Sequence, residues 1–175
     1  MDTFTLHNCL RQLLCKCSFN RYYVLAKDEI GRINFKDSAG FCAIINTEIL
    51  SIKTRGHWTT LIRCPNERGY IFFESYGGTP MDYNIKFPKE VLGNLTVISR
   101  PYQSNHSSVC GLYCLQLCVL LSRGYTYNYF LNLYNIYDKV GNDERVVQFY
   151  RHAKVKSGPR GGQICCSKVM NCSHG

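Results

Sequence analysis

The apolar positions of this chain change period twice. Leu6, Cys9, Leu10, Leu13, Leu14 and Cys17 recur at helical spacing across residues 5–17, which predicts an amphipathic opening helix. The middle of the chain then reads as strands. "FCAIINT" (41–47) is a compact apolar run, and "HWTTLIR" (57–63), "CPNERG" and "YIFFE" (70–74) read as a hairpin about a Pro/Asn/Gly turn. "LTVIS" (95–99) supplies another strand. Helical patterning returns at Cys110 with an apolar helix to about Ser122, a Tyr-rich helix near 127–138 and a last helix near 143–153, with Asp143 in its first turn. Helix, strands and helices in that order predict an α+β domain over residues 1–153. From Lys154 the composition shifts to a basic, Gly- and Cys-containing tail, 154–175, with no acidic residue.

Charge adds a partner class to that picture. The 175 residues carry a formal net charge of +9 at pH 7, which points to a polyanion such as nucleic acid. The Lys and Arg residues form no dense block, so the contact expected is diffuse and indifferent to sequence. The opening residues lack the uninterrupted apolar region of a secretory signal. "LYCLQLCVLL" is too short to span a bilayer, so no membrane role is expected. The eleven cysteines are then expected as reduced thiols. Cys165, Cys166, Cys172 and His174 do not follow paired zinc-ligand spacing, so no metal site is expected.

Among those thiols Cys110 is distinctive, because a polar loop precedes it and an apolar helix follows. A helix N-terminus favours thiolate through its dipole and free N–H groups. In the hairpin, a turn centred near residues 65–66 sets His57 opposite Glu74 on one side of the sheet. That pairing gives an imidazole its carboxylate, and with Cys110 a nucleophile, a base and an orienting acid. Gln103 can stabilise an oxyanion together with the Cys110 backbone N–H. Gly111, lacking a Cβ, is expected to let a substrate backbone approach. Trp58 is read as packing, as are Cys114 and Cys118 one and two turns along the helix.

These segments resemble the adenovirus protease (adenain) family. The likeness is carried by "CAIINT", "GHW", "FFESYGG" and "QSNHSSVCGLYC", with weaker similarity in "YYVLAKDEIG" and "NDERVVQFYRHA". The resemblance implies a papain-like/adenain-like α+β fold whose central, mostly antiparallel sheet is flanked by helices. It also implies a monomeric cysteine endopeptidase with His57 as base, Glu74 as acid, Cys110 as nucleophile and Gln103 as oxyanion donor. Members cleave viral precursor proteins at Gly-containing sites during virion maturation, in the host nucleus and virion. Viral DNA and a disulfide-linked peptide activate them. The cysteine that tethers the peptide in adenain lies between the acid and the Gln, and residues 75–102 here contain none. That argues against such a tether and leaves activation by DNA alone, by another contact or by nothing.

Two alternatives stay open at this point. A SUMO or ubiquitin-like deconjugating protease shares the His/acid/Gln/Cys arrangement, but usually with Asp as the acid and Asp-Cys-Gly at the nucleophile. A non-catalytic basic DNA-binding virion protein on a protease-like fold would not need all four positions filled by competent residues.

Overall fold

The structure is a computed structural model that describes residues 3–13, 19, 21–51 and 56–155. Its elements are α1 (Thr3–Leu13), β1 (Arg21–Ala26), β2 (Phe41–Asn46), β3 (Trp58–Arg63) and β4 (Tyr70–Glu74). There follow α2 (Lys89–Leu92), β5 (Leu95–Ile98), α3 (Cys110–Ser122), α4 (Tyr127–Asn132) and α5 (Lys139–Val155). Short 3-10 turns at Lys27–Arg32 and Met81–Tyr83 complete the fold. The five strands lie in the order β1-β2-β3-β4-β5 in one mixed sheet. The two central pairings are antiparallel, and the outer pairs, β1 with β2 and β4 with β5, run parallel. The expected mostly antiparallel sheet therefore describes the centre and not the edges.

Alternation along the strands fills two layers. Cys42 and Ile44 face one cluster with Ile62 and Phe73, while Phe41, Ala43 and Ile45 face the other with Leu61 and Phe72. A strand buried on both faces reads as a continuous apolar run, which is why β2 was legible in sequence. Helix α3 lies on the first face between the sheet, α1 and α5, and every one of its 13 residues is buried. With no exposed side it needs no polar stripe. The second face is closed by Ile30 and Ile33 and by Ile85, Phe87 and Val91.

The helical boundaries correct three expectations. α1 buries Leu6, Cys9 and Leu10 as the spacing predicts, whereas Leu14 and Cys17 lie outside the described residues. α4 stops at Asn132 instead of 138, because side chains take over the backbone donors beyond it. Asn142 Oδ1 accepts the Asn135 N–H at 3.0 Å, and Asn135 Oδ1 accepts the Tyr137 N–H at 2.9 Å. α5 then begins at Lys139, four residues early, with Asp138 accepting the Gly141 N–H at 3.0 Å as a cap. A Cβ at position 141 would lie 2.2 Å from Asp138 Oδ2, so this glycine starts a helix where glycine usually ends one. Asp143 consequently sits in the second turn, not the first. α5 runs to Val155, past the boundary drawn at Lys154, and the rest of the tail, including Cys165, Cys166, Cys172 and His174, lies outside the described residues. Among the described residues there is no cluster of three potential metal ligands, and no helix is long and apolar enough to cross a membrane.

Candidate active site

The hairpin brings His57 to Glu74, but through a different register. Glu74 pairs with Thr59, and His57 lies just ahead of β3. The six-residue loop 64–69 centres between Asn66 and Glu67, with Asn66 at φ 61°, which displaces the pairing by two residues from that expected. A shift of two preserves the side of the sheet. His57 therefore reaches Glu74 diagonally, and its Nε2 hydrogen-bonds Glu74 Oε1.

Glu74 is inaccessible to solvent and saturated with donors. Oε1 also accepts the Tyr76 N–H at 2.7 Å, and Oε2 accepts the Gly78 N–H at 2.6 Å. The Tyr83 hydroxyl donates to the same carboxylate. Burial alone would raise the pKa of this acid, but the bonds from His57, Tyr76 and Gly78 together hold it below its ordinary value. A Cβ on Gly78 would stand 2.9 Å from Glu74 Oε2 and 2.8 Å from the Tyr83 ring, so only glycine fits there.

The imidazole packs against two aromatic rings, Tyr76 at 4.9 Å and Tyr83 at 5.7 Å between centroids. Besides its Nε2 bond to Glu74, the ring is hydrogen-bonded to the Cys110 side chain. Burial opposes the imidazolium, yet the bonds and charges of Cys110 and Glu74 outweigh it and raise His57 to about 9. Cys110 is the first residue of α3. Burial raises its pKa, while His57 and the backbone N–H groups of Trp58 and Gly111 lower it further, for a net depression. Cys114 and Cys118 on the same helix are pushed the other way by burial. The Cys114 thiol donates to the Trp58 carbonyl at 3.3 Å.

Gln103 is fully buried instead of solvated in its loop. Its Oε1 accepts from the Ser75 hydroxyl at 2.6 Å, and its Nε2 donates to Ser107 O at 2.9 Å and Ser107 Oγ at 3.0 Å. The Tyr76 hydroxyl also donates to Ser107 O, at 3.1 Å, so the amide opens toward the loop that enters α3. Asp143 braces that loop from α5, accepting the Ser104 N–H at 3.2 Å and the Tyr113 hydroxyl at 2.9 Å.

One expectation is overturned. The open side of Gly111 is not left for substrate: a Cβ there would meet Trp58 Cδ1 at 3.3 Å and Leu6 Cδ2 at 3.5 Å. The glycine admits close packing of α3 against α1 and β3. Sequence reasoning missed Ser75, Tyr76, Gly78 and Tyr83. The only trace of them was the Gly-Gly turn that follows the acid in "ESYGGTP".

Fold and site together define an α+β protein with a thiol, a half-buried imidazole and a buried carboxylate in line at the N-terminus of its central helix. Among solved structures the chain matches the crystal structure of the ASFV pS273R protease, at 15% identity and a TM-score of 0.45. The match covers 64% of this chain and 52% of that one, so this chain spans about half the length of that protease. No protein-family model and no curated protein matches the chain.

Proposed function

We propose that this protein is a cysteine endopeptidase of the adenain type, acting by acyl transfer through a thioester at Cys110. The observation that carries the reading is the hydrogen-bonded run Glu74–His57–Cys110, in which the imidazole pKa is raised and the thiol pKa lowered. The raised imidazole and the depressed thiol together favour a resting thiolate and imidazolium. The thiolate attacks the scissile carbonyl carbon, forming a C–S bond while the carbonyl electron pair moves to oxygen. The Gln103 amide and the Cys110 backbone N–H receive that oxyanion. His57 protonates the leaving amine as the C–N bond breaks, then takes a proton from the water that hydrolyses the thioester.

The substrates proposed are viral precursor proteins cleaved at Gly-containing sites during virion maturation, in the host nucleus and the virion. Viral DNA, bound without sequence preference, is the proposed activator, and the net charge of +9 supports that part. The protein is proposed to act as a monomer. A direct test incubates the protein with Gly-Gly and Gly-X-Gly peptides, a viral core precursor and a ubiquitin-like fusion, each with and without duplex DNA. Cleavage of the peptides and precursor, faster with DNA at low salt, is expected. Cleavage of the fusion alone would favour a deconjugating enzyme. No cleavage of any substrate, with no Cys110-dependent labelling by a thiol probe, would favour a binding protein.

A further inference from the structure

The orientation of the Gln103 amide is decided by its surroundings. Ser107 O is a carbonyl and can only accept, so the amide atom facing it at 2.9 Å must be the N–H-bearing Nε2. Oε1 is thereby turned toward Ser75 Oγ, 2.6 Å away, and the Ser75 hydroxyl must be the donor. Both side chains are wholly buried, so no solvent is available to replace either partner.

We propose that Ser75 is a positioning residue for the oxyanion: its hydroxyl fixes the Gln103 amide with the N–H groups turned toward the loop before Cys110. The inference rests on the endopeptidase reading and deepens it. In the resting site those N–H groups are held by Ser107 O and Oγ, so a substrate oxyanion gains one of them only as a Ser107 contact gives way while the C–S bond forms. Ser75 directly follows Glu74, so one strand end orients both the base, through the acid, and the oxyanion donor. The main chain is anchored independently of the hydroxyl, because Ser75 O accepts the N–H groups of Tyr102 and Gln103, each at 2.9 Å. Removing the hydroxyl therefore leaves the Gln103 backbone in place and takes away the one partner of Oε1, so the amide is held only from its Nε2 side, by Ser107.

The test compares wild type, Ser75→Ala, Gln103→Ala and the double variant, reading peptide kcat and KM alongside alkylation of Cys110 by a haloacetamide. Alkylation needs the thiolate but forms no oxyanion, so it separates the two functions. Expected for Ser75→Ala is a loss of roughly tenfold in kcat, short of the ~100-fold or more typical of removing an oxyanion donor itself. KM and alkylation rate stay as in wild type, and Ser75→Ala adds nothing further in the Gln103→Ala background. Ser75→Thr, which keeps the hydroxyl, is expected to recover most of the loss. Should Ser75→Ala fail to fold, Ser75→Cys substitutes a weaker donor in similar volume, and the same kcat loss is expected from it. Unchanged kcat, additive losses in the double variant, or an equal fall in alkylation would overturn the proposal. Wild-type protein that cleaves no peptide would overturn the endopeptidase reading as well, which is a different result from an active enzyme indifferent to position 75.

Discussion

His57 meets Glu74 across a diagonal of the sheet, because Thr59 and not His57 is the residue paired with the acid. The carboxylate is held at the end of β4 by its own backbone turn, and the imidazole reaches it from the segment entering β3. Acid and base are thus placed by two elements whose relation is set by the hairpin loop.

The pH profile follows from that pair. His57 is raised from 6.5 to about 9, so its contribution to stability is full below about 6.5 and is lost as pH rises through about 9. Cys110 is depressed, so its contribution is present above the ordinary thiol pKa of 9.0 and lost as pH falls through the folded value. Below about 9 the raised imidazole is protonated, and the depression of Cys110 favours thiolate beside it. A plot of kcat/KM against pH is expected to fall on its alkaline side near 9. Alkylation of Cys110 should persist below the range of ordinary thiols, and His57→Ala should return it to that range.

Cys110→Ala and His57→Ala are expected to abolish peptide cleavage, with thermal melts close to wild type for Cys110→Ala. Neither side chain closes a network as large as the one around the acid.

Glu74 is a different case. Glu74→Ala should leave partial activity, because an orienting group is replaceable in part, but it strands the Tyr76 and Gly78 N–H groups in a buried site. A loss of about 1–3 kcal/mol per stranded donor is the scale expected in denaturant melts. Glu74→Gln, which keeps one acceptor oxygen, should be milder in stability than Glu74→Ala.

Gly78→Ala would force a methyl to within 2.9 Å of Glu74 Oε2 and 2.8 Å of the Tyr83 ring. Overpacking of this kind costs about 1–3 kcal/mol, and here it also displaces the acid. Tyr83→Phe removes only the hydroxyl on the carboxylate and should lower kcat severalfold with little change in KM. Steady-state kinetics on both variants check this.

Native-state alkylation should reach Cys110 before the other thiols of β2 and α3. Cys42, Cys114 and Cys118 are wholly buried, so their modification awaits unfolding. Mass mapping after a short haloacetamide pulse, repeated on Cys110→Ala, reads this directly.

Continuous burial made β2 and α3 legible in sequence, since a run with no polar face has few other places to go. β1 escaped notice because "RYYVLA" mixes half-exposed aromatics with an exposed arginine and runs straight into "KDE". The onset of α5 was hidden by "DKVGND", whose Asp, Gly and Asn read as a turn until Asp138 is seen capping Gly141. His57, Glu74 and Cys110 were singled out in the sequence because each lies at or beside the end of an element, whereas Gln103 sits in the middle of the loop between β5 and α3. Their supports were not. Ser75, Tyr76, Gly78 and Tyr83 act through contacts that exist only once the segment after β4 folds back on the carboxylate.

The burial of α3 on every side carries a last consequence. Its first residue is Cys110, whereas His57 sits on the segment that leads into β3. The sulfur and the imidazole are therefore carried by opposite sides of one helix–sheet seam, closed where Gly111 lets Trp58 and Leu6 in. Any loosening that lets the helix slide on the sheet parts the two reacting groups before any strand is lost. The proposed activity is therefore expected to report on tertiary packing, failing on warming or in mild denaturant ahead of the secondary structure.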